Sequence, residues 1–328
     1  TYGGYRVQAP TGLPGALLSR SLLEWQVRRR VLALPNVRMI DQCEVESPVF
    51  DAGKERVIGV QAARRNLRAG VHFYRADLVV DAGGRNAATP RWLQEAGYDH
   101  PVESAVRSNL GYATRYYRRR PDDLQEGALL MVSAQGPDAR RSALVSPIEG
   151  DRWIVTLGGI NGDHPPLDEG GFLAFARSLP TPDVYNLLLR LQPISPIVGH
   201  KFEASLRRYY ERLDRFPPGY LVLGDAICSF NPIYGQGMIC AALEAQALDE
   251  LLTAHGPGDR QELAHDFFAQ AARIVDNPWQ MAVGADFRFS GTIGERAVTV
   301  DFVNSYVARV QRATHHDPVV LREFLKVM

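Results

Sequence analysis

Cysteine is scarce in this sequence, which has only three, Cys43, Cys228 and Cys240, among 328 residues. An odd and sparse count excludes a disulfide framework as the main support of the fold and is typical of a reducing compartment. No Cys-x-x-Cys pair and no His/Cys cluster has the spacing of a metal site, so we expect no bound metal. The adjacent His315 and His316 cannot share one face of a helix, and we expect both at the surface.

The sequence also has no net charge and no long apolar run. Lys+Arg and Asp+Glu each number 37, which gives a formal net charge of +0. A chain without a basic surplus lacks the electrostatic footprint of nucleic-acid binding. No apolar run approaches the roughly 18 residues of a membrane span, and no signal peptide is recognised. We therefore expect a cytoplasmic protein that neither binds nucleic acid nor crosses a membrane.

Hydrophobic residues, by contrast, make up 45% of the chain, which is enough for more than one compact unit. Their spacing predicts an α/β fold. Strands are predicted at 37–45, 57–64, 70–74, 110–117, 143–147, 153–157, 197–204 and 220–223, a buried strand within 77–85, polar turns at 65–68 and 149–151, and helices at 20–34, 171–178, 184–191 and 238–252. The sequence after Gly256 is predicted to be helical, with breaks at Pro278, Gly291 and Pro318.

The segment 221–238 has the most chemical content. A predicted strand delivers Asp225 at its carboxyl end, where ligands bind in α/β sheets and where a carboxylate can accept hydrogen bonds from hydroxyl groups. Gly235 and Gly237 in the following loop let the backbone approach a ligand closely. The next helix begins there, and its N-terminus favours an anion. These features suit a polyhydroxylated, anionic cofactor, although an ordinary strand–loop–helix connection has the same outline.

Gly224-Asp225-Ala226 and the stretch 231–238, Asn-Pro-Ile-Tyr-Gly-Gln-Gly-Met, together resemble the second FAD-binding motif of the aromatic-hydroxylase flavoproteins. The resemblance implies that Asp225 binds the ribityl chain of FAD. It implies that the loop and the helix N-terminus face the pyrimidine edge of the flavin, through Pro232, Gly235, Gln236, Gly237 and Met238. Ile239 departs from the pattern, because many members have Asn there.

Two further stretches resemble motifs of the same family. The stretch 77–90 is similar to the middle motif of the family, with Ala87 where Ser is usual. The resemblance implies that the backbone of this stretch lies close to the cofactor. The alternative is that Gly83 and Gly84 simply form a turn. Leu18-Ser19-Arg20 opens a predicted helix with Ser19 as its N-cap, and the resemblance implies that Arg20 contacts FAD. Arg28 is a weaker candidate for the same face or a surface charge. The strand ending at Val45 matches one that passes near the adenine.

The resemblance covers nearly the whole chain. Gly111–Arg115, Pro147–Gly150 and Asn231–Gly235 are similar to phrases of a bacterial branch that includes polyether epoxidases, relatives of squalene epoxidase. The implied architecture is a Rossmann-like FAD-binding domain at 1–106 and 206–255, an inserted β-rich substrate domain at 107–205 and a C-terminal helical region at 256–328. The Gly-x-Gly-x-x-Gly of the family's first βαβ unit is not found, and we expect that unit upstream.

The resemblance implies an FAD-dependent monooxygenase that hydroxylates an aromatic ring or epoxidises an alkene through a flavin C4a-hydroperoxide. NADPH or NADH would supply the electrons, either directly or through a partner flavin or NAD(P)H reductase. The expected substrate is a hydrophobic or aromatic small molecule, packed between the flavin and the inserted sheet. Tyr112, Arg115 and Trp153 are its candidate contacts by position. The sequence has no Gly-x-Ser-x-Gly elbow, and the flavin would carry the chemistry.

Two other functions remain open at this point. One is another flavin oxidoreductase on the same scaffold, such as a prenyl reductase or a halogenase, although the Trp-x-Trp-x-Ile-Pro motif of halogenases is not found among Trp25, Trp92, Trp153 and Trp279. The other is a flavoprotein-like binding protein that has lost its cofactor.

Overall fold

The protein was analysed as a computed structural model that describes residues 4–10, 12–64, 70–124, 129–256 and 262–327. The turn predicted at 65–68 lies outside the described residues. The chain forms two compact units. Unit 1 comprises Thr1–Val37, Arg107–Glu203 and Gly284–Met328, and unit 2 comprises Arg38–Val106 and Ala204–Val283.

The described residues form eight α-helices, three short 3-10 helices and eleven strands. The helices are α1 (Arg20–Leu32), α2 (Thr89–Glu95), α3 (Glu169–Arg177), α4 (Asp183–Leu188), α5 (Gln236–His255), α6 (Leu263–Asp286), α7 (Val300–Ala313) and α8 (Pro318–Val327). The strands are β1 (Cys43–Phe50), β2 (Val57–Arg64), β3 (His72–Arg75), β4 (Val79–Asp81), β5 (Val102–Arg118), β6 (Leu130–Val132), β7 (Arg141–Ile148), β8 (Arg152–Gly159), β9 (Val198–Tyr209), β10 (Tyr220–Val222) and β11 (Cys228–Ser229). Among them, no helix is both long and apolar enough to cross a membrane.

Unit 1 is built on a sheet of order β9-β5-β8-β7-β6. Since side chains alternate across a strand, one face of this sheet is apolar and forms the core with α3 and α4. The buried members of this core include Ala113, Tyr117, Val145, Trp153, Val155, Leu157, Phe172, Phe175 and Leu187. The tight β7–β8 hairpin joins the pair Ile148 and Arg152, and Gly150 and Asp151 in its turn have positive φ angles of 72° and 49°.

Unit 2 contains a small antiparallel sheet of order β1-β2-β3 and the parallel pair β4 and β10. The parallel register sets Tyr220 opposite Val79 and Val222 opposite Asp81. The carboxyl ends of the two strands therefore lie side by side. Strand β11 pairs with the last part of β9, and α2, α5 and α6 are the helices of this unit.

The structure corrects two predicted elements. The strand predicted at 37–45 instead runs from Cys43 to Phe50, because its antiparallel pairing with β2 begins at Cys43 and Gln42 has a positive φ of 50°. Helix α6 continues through Pro278, where a break was predicted. The lost backbone hydrogen bond is tolerated because Val275 and Trp279, on either side of the proline, are both buried.

Several other local predictions are confirmed. Strand β2 has the predicted bounds, and Ser19 caps α1, since its side chain accepts a hydrogen bond of 3.1 Å from the backbone N–H of Leu22. Helix α5 was predicted at 238–252 and extends at both ends. The break predicted at Gly291 falls between α6 and α7, and Pro318, the other predicted break, is the first residue of α8.

Candidate functional site

The turn after β10 brings a carboxylate to the carboxyl end of the parallel pair in unit 2. Gly224 adopts a positive φ of 70°, which a residue without a β-carbon adopts at little cost. The next residue, Asp225, is exposed. The backbone N–H of Leu223, just after β10, donates to the carbonyl of Asp81 on the neighbouring strand β4 at 2.9 Å, so the parallel pairing continues up to the turn. An exposed carboxylate at this end of a parallel pair has the usual position of a ligand contact in α/β sheets.

The loop that follows Asp225 is held by hydrogen bonds at Asn231 and has open space beside Gly235. Asn231 is fully buried, its backbone N–H donates to Ser205 Oγ at 3.0 Å, and its side chain accepts from the backbone N–H of Ile233 at 3.1 Å. Gly235 has a φ of 69° and starts α5. A β-carbon built on Gly235 would meet no atom within 4 Å, so the space beside this backbone is open.

The N-terminus of α5 lies next to Asp225. Its N-cap residue is Gly235, which has no side chain to cap the first-turn N–H groups. Gln236 and Gly237 are half-buried and Met238 is exposed. A β-carbon at Gly237 would lie 3.4 Å from Asp225 Oδ1, which shows that the carboxylate sits beside the first turn of the helix. Asp225, Gly235 and the helix terminus thus form one surface, with a hydroxyl acceptor and an anion-binding group next to each other.

Glu244, inside α5, supports this surface. Its side chain is only 1% exposed, and Oε2 accepts a hydrogen bond of 2.6 Å from the backbone N–H of Gly224. The other oxygen, Oε1, is buried without a hydrogen-bond partner among the described residues. Burial, opposed by the hydrogen bond from the Gly224 N–H and aided by the nearby charge of Asp225, raises the pKa of Glu244 to about 7. Sequence reasoning did not single out Glu244, because a glutamate inside a helix is usually a surface residue.

Glu244→Gln is expected to change how stability depends on pH. Since the pKa is raised, the folded protein holds this proton more tightly than the unfolded chain does, and the free energy of unfolding falls as the pH rises from the ordinary glutamate range to about 7. Since one pKa unit corresponds to about 1.4 kcal/mol, the free energy of unfolding should fall by on the order of 3 kcal/mol at most. Urea unfolding at about pH 5 and about pH 8 measures the difference. The Glu244→Gln variant, which cannot ionise, should lack this dependence of stability on pH. The control Glu250→Gln, at an exposed position of the same helix, should keep it. The same pH dependence in the parent and both variants would disprove the raised pKa of Glu244.

The turn after β4 is held by a buried polar cluster. Asp81 accepts from the backbone N–H of Gly83 at 2.8 Å and from the hydroxyl of Thr89. The hydroxyls of Thr89 and Tyr220 lie 2.6 Å apart, which ties the turn to β10. Burial raises the pKa of Tyr220 well above its ordinary value, so this phenol stays a neutral hydrogen-bonding group. Gly84 has a φ of 78°, which fits the glycine turn predicted from the sequence.

Arg20 and Val45, two further predicted FAD contacts, belong to different units. Arg20 is exposed at the first position of α1 in unit 1. Its N-cap is held by Glu149, which accepts from the backbone N–H of Ser19 at 2.9 Å and from its hydroxyl at 2.6 Å. These two bonds hold the pKa of Glu149 below its usual range. Val45 lies near the start of β1 in unit 2 and is 47% exposed.

The three predicted substrate contacts lie on opposite faces of the unit 1 sheet. Tyr112 is half-buried on the face away from α3 and α4, and its ring stacks on His200 at a centroid distance of 5.5 Å. Arg115 points to the other face, where it pairs with Glu169 at 3.1 Å. Trp153 is 1% exposed within the core. Arg115 is therefore held in an ion pair and Trp153 lies inside the core, and of the three only Tyr112 has its side chain on the second face.

The second face also has side chains that the sequence reasoning missed. Thr114 and Thr156, which are register partners on β5 and β8, place their hydroxyls 2.8 Å apart. Tyr116 and Ile154 form the next register pair and are half-buried. The face therefore combines aromatic and aliphatic surface with hydroxyl groups. Counting alternate residues from Tyr112 would have identified Thr114 and Tyr116.

Comparison with known proteins identifies one relative by sequence and several solved structures by fold. No protein-family model matches the chain. The chain is 34% identical over 280 residues to the protein Rv3254 of Mycobacterium tuberculosis, an alignment that covers 84% of this chain and 58% of that protein. The chain thus spans less than two thirds of the length of this relative.

Solved structures with the same fold include a brominase and two monooxygenases. The flavin-dependent brominase Bmp2 has a TM-score of 0.61 at 16% identity, over 82% of this chain and 63% of its own. The p-nitrophenol 4-monooxygenase PnpA of Pseudomonas putida has a TM-score of 0.61 at 18% identity, over 94% and 72%. The probable FAD-dependent monooxygenase pqsL of Pseudomonas aeruginosa has a TM-score of 0.56 at 19% identity, over 81% and 70%. The predicted fold class, that of FAD-dependent monooxygenases and halogenases with a C-terminal helical region, is confirmed.

Proposed function

We propose that this protein is an FAD-dependent monooxygenase in which unit 2 binds the flavin through the turn after β10 and the N-terminus of α5. The observation that carries the proposal is the surface formed by Asp225, Gly235 and the first turn of α5, whose N-cap residue is a glycine. A carboxylate that accepts from hydroxyl groups, beside N–H groups that favour negative charge, matches the two chemical features of a ribityl chain and a flavin pyrimidine edge.

The residues present fit this cofactor. Gly235 has open space where a β-carbon would project, and a β-carbon at Gly237 would be in van der Waals contact with the carboxylate of Asp225. Pro232 and Met238 are exposed on the same loop and helix turn. Asp225 would hold the ribityl hydroxyls, and Gln236, Gly237 and Met238 would donate backbone N–H groups. When bound, the flavin would supply the activation of O₂.

The second face of the unit 1 sheet is the proposed substrate surface. The rings of Tyr112 and Tyr116 offer apolar area, and the paired hydroxyls of Thr114 and Thr156 offer a hydrogen-bond donor and acceptor. Such a surface suits a hydrophobic or aromatic small molecule with at least one polar group.

A halogenase is the second candidate, and one observation favours it. The fold matches the brominase Bmp2 with the same TM-score of 0.61 as the monooxygenase PnpA. The fold alone therefore gives neither reaction priority. The resemblance of the three sequence stretches to aromatic-hydroxylase motifs, and the absence of Trp-x-Trp-x-Ile-Pro from the 328 residues, favour the monooxygenase.

The reaction can be tested with the protein as its gene encodes it. The protein is supplied with FAD, NADPH or NADH, isotopically labelled O₂ and a panel of phenols and alkenes, with and without bromide, and with and without a flavin reductase. A monooxygenase should transfer one labelled oxygen atom to a phenol or alkene and should not depend on bromide. Formation of a brominated product instead would support the halogenase and overturn the first proposal.

A further inference from the structure

Arg208, in the last part of β9, contacts both turns of the candidate flavin site in unit 2. Its side chain is nearly buried, and Nε donates to Glu103 Oε1 at 2.8 Å. Nη1 donates to the carbonyl of Ala226 at 3.1 Å, and Nη2 donates to the carbonyl of Arg85 at 3.1 Å. One planar group is therefore bonded in three directions.

The two carbonyls belong to the two turns that the sequence reasoning singled out. Ala226 directly follows Asp225, and Arg85 directly follows Gly84. The guanidinium of Arg208 thus spans the distance between the turn after β10 and the turn after β4. A buried guanidinium is tolerated here because Glu103 balances its charge and the two carbonyls accept its other protons.

The side chain of Arg85 strengthens the same connection. It donates to the carbonyl of Ala204 and to Ser229 Oγ at 3.3 Å, on β9 and β11. The backbone N–H of Arg208 also donates to the carbonyl of Ile227 at 2.9 Å. The stretch that carries Asp225 is therefore fixed to β9 through both the side chain and the backbone of Arg208.

We propose that Arg208 is a positioning residue of the flavin site. It sets the spacing between the turns after β4 and β10, and through its bond to Ala226 it fixes the position of the Asp225 carboxylate. This inference rests on the proposed flavin function. Arg208 itself does not contact the ligand surface, because its three bonds are made to Glu103 and to backbone carbonyls behind the turns.

Arg207, the preceding residue, provides a matched control. It is also nearly buried, and it pairs with Asp276 at 2.5 Å and with Glu211 at 3.1 Å. Since neighbouring side chains of a strand point to opposite faces, its guanidinium contacts neither turn in these pairs. Replacing Arg207 removes a buried ion-paired guanidinium of the same strand without removing the bonds to Ala226 and Arg85.

The test compares Arg208→Lys with Arg207→Lys in the protein as its gene encodes it. Lysine keeps the positive charge but cannot donate in three fixed directions. Both variants should unfold at a lower urea concentration than the parent. Only Arg208→Lys should raise the Kd of FAD, by about tenfold, as expected for one displaced charged hydrogen bond. It should also change the visible circular dichroism of the bound flavin, which reports the flavin's surroundings and not the stability of the fold.

The possible outcomes separate this proposal from the proposed function. If Arg208→Lys and Arg207→Lys have the same Kd and the same flavin spectrum, Arg208 is only structural and the positioning role is wrong, while the flavin function stands. If Arg208→Lys is too unstable to purify, Glu103→Gln replaces it in the test, because this variant leaves Arg208 in place but loosens its orientation. Glu103→Gln must then raise the Kd of FAD while Arg207→Lys does not, or the proposal fails. A parent protein that binds no FAD overturns both.

Discussion

Asp225→Ala is expected to raise the Kd of FAD by about 10- to 100-fold while the protein stays folded. The carboxylate is exposed at the end of β10 beside Gly237, so its removal opens no cavity in the core. A hydrogen bond to a charged group contributes about 1.5–3 kcal/mol, and each 1.4 kcal/mol is about a factor of ten in affinity. Titration of flavin fluorescence against the protein measures the Kd directly.

The control for this variant keeps the change in charge but moves it away from the site. Asp249 is an exposed aspartate further along α5, and Asp249→Ala should leave the Kd of FAD unchanged. Asp225→Asn, which retains one acceptor oxygen, should fall between the parent and Asp225→Ala. If Asp225→Ala binds FAD as tightly as the parent, Asp225 does not hold the ribityl chain and the site has been assigned to the wrong residues.

Trp153→Ala is expected to lower the free energy of unfolding by about 3–5 kcal/mol, the usual cost of removing a large buried aromatic side chain. Trp153 is 1% exposed in the core between the unit 1 sheet and α3 and α4. Its indole N–H donates to Asp123 Oδ2 at 2.9 Å, so the variant also removes a hydrogen-bond donor from a buried carboxylate. Urea unfolding of the parent and the variant measures the loss.

The adjacent residue tests which face of β8 is the core. Ile154 is half-buried on the second face, and Ile154→Ala should cost clearly less stability than Trp153→Ala. Trp153→Phe should fall between them, since it keeps most of the ring volume but loses the bond to Asp123. A Trp153→Ala variant that unfolds no more easily than Ile154→Ala would mean that Trp153 faces a ligand surface, as the sequence alone first suggested.

The elements around the flavin motif could be predicted because their signals are local. The apolar run of β10, the glycines at 224 and 235 and the Ala- and Leu-rich α5 each identify their own element within a few residues. The N-cap at Ser19 is also local, and the structure confirms it. The first two residues of α5 were missed because the left-handed conformation of Gly235, which places the start of the helix at Gln236, cannot be recognised from the sequence.

What the sequence could not predict depends on contacts between distant residues. The position of β1 follows from its pairing with β2. Arg208 contacts Glu103 and Arg85, more than a hundred residues away along the chain, and no spacing pattern predicts such bonds. Glu244 is buried only because Gly224 folds back onto α5.

The substrate contacts could not all be predicted correctly, because side chains along a strand point alternately to opposite faces. Tyr112 and Arg115 are three positions apart on β5, so alternation places them on opposite faces, and both could not contact one ligand from the same face. The sequence alone left open which of the two faces is the core. The buried partners of Trp153 answer this question, because they fill the face opposite to Tyr112.

The proposed binding of FAD to the surface formed by Asp225, Gly235 and the N-terminus of α5 can be tested by the visible absorption spectrum of the purified protein as its gene encodes it, incubated with FAD and passed through gel filtration. We expect flavin absorption bands to elute with the protein and to be weaker for Asp225→Ala. A folded protein that elutes without flavin, even after incubation with excess FAD, would contradict the claim and would favour a flavoprotein-like binding protein without a cofactor.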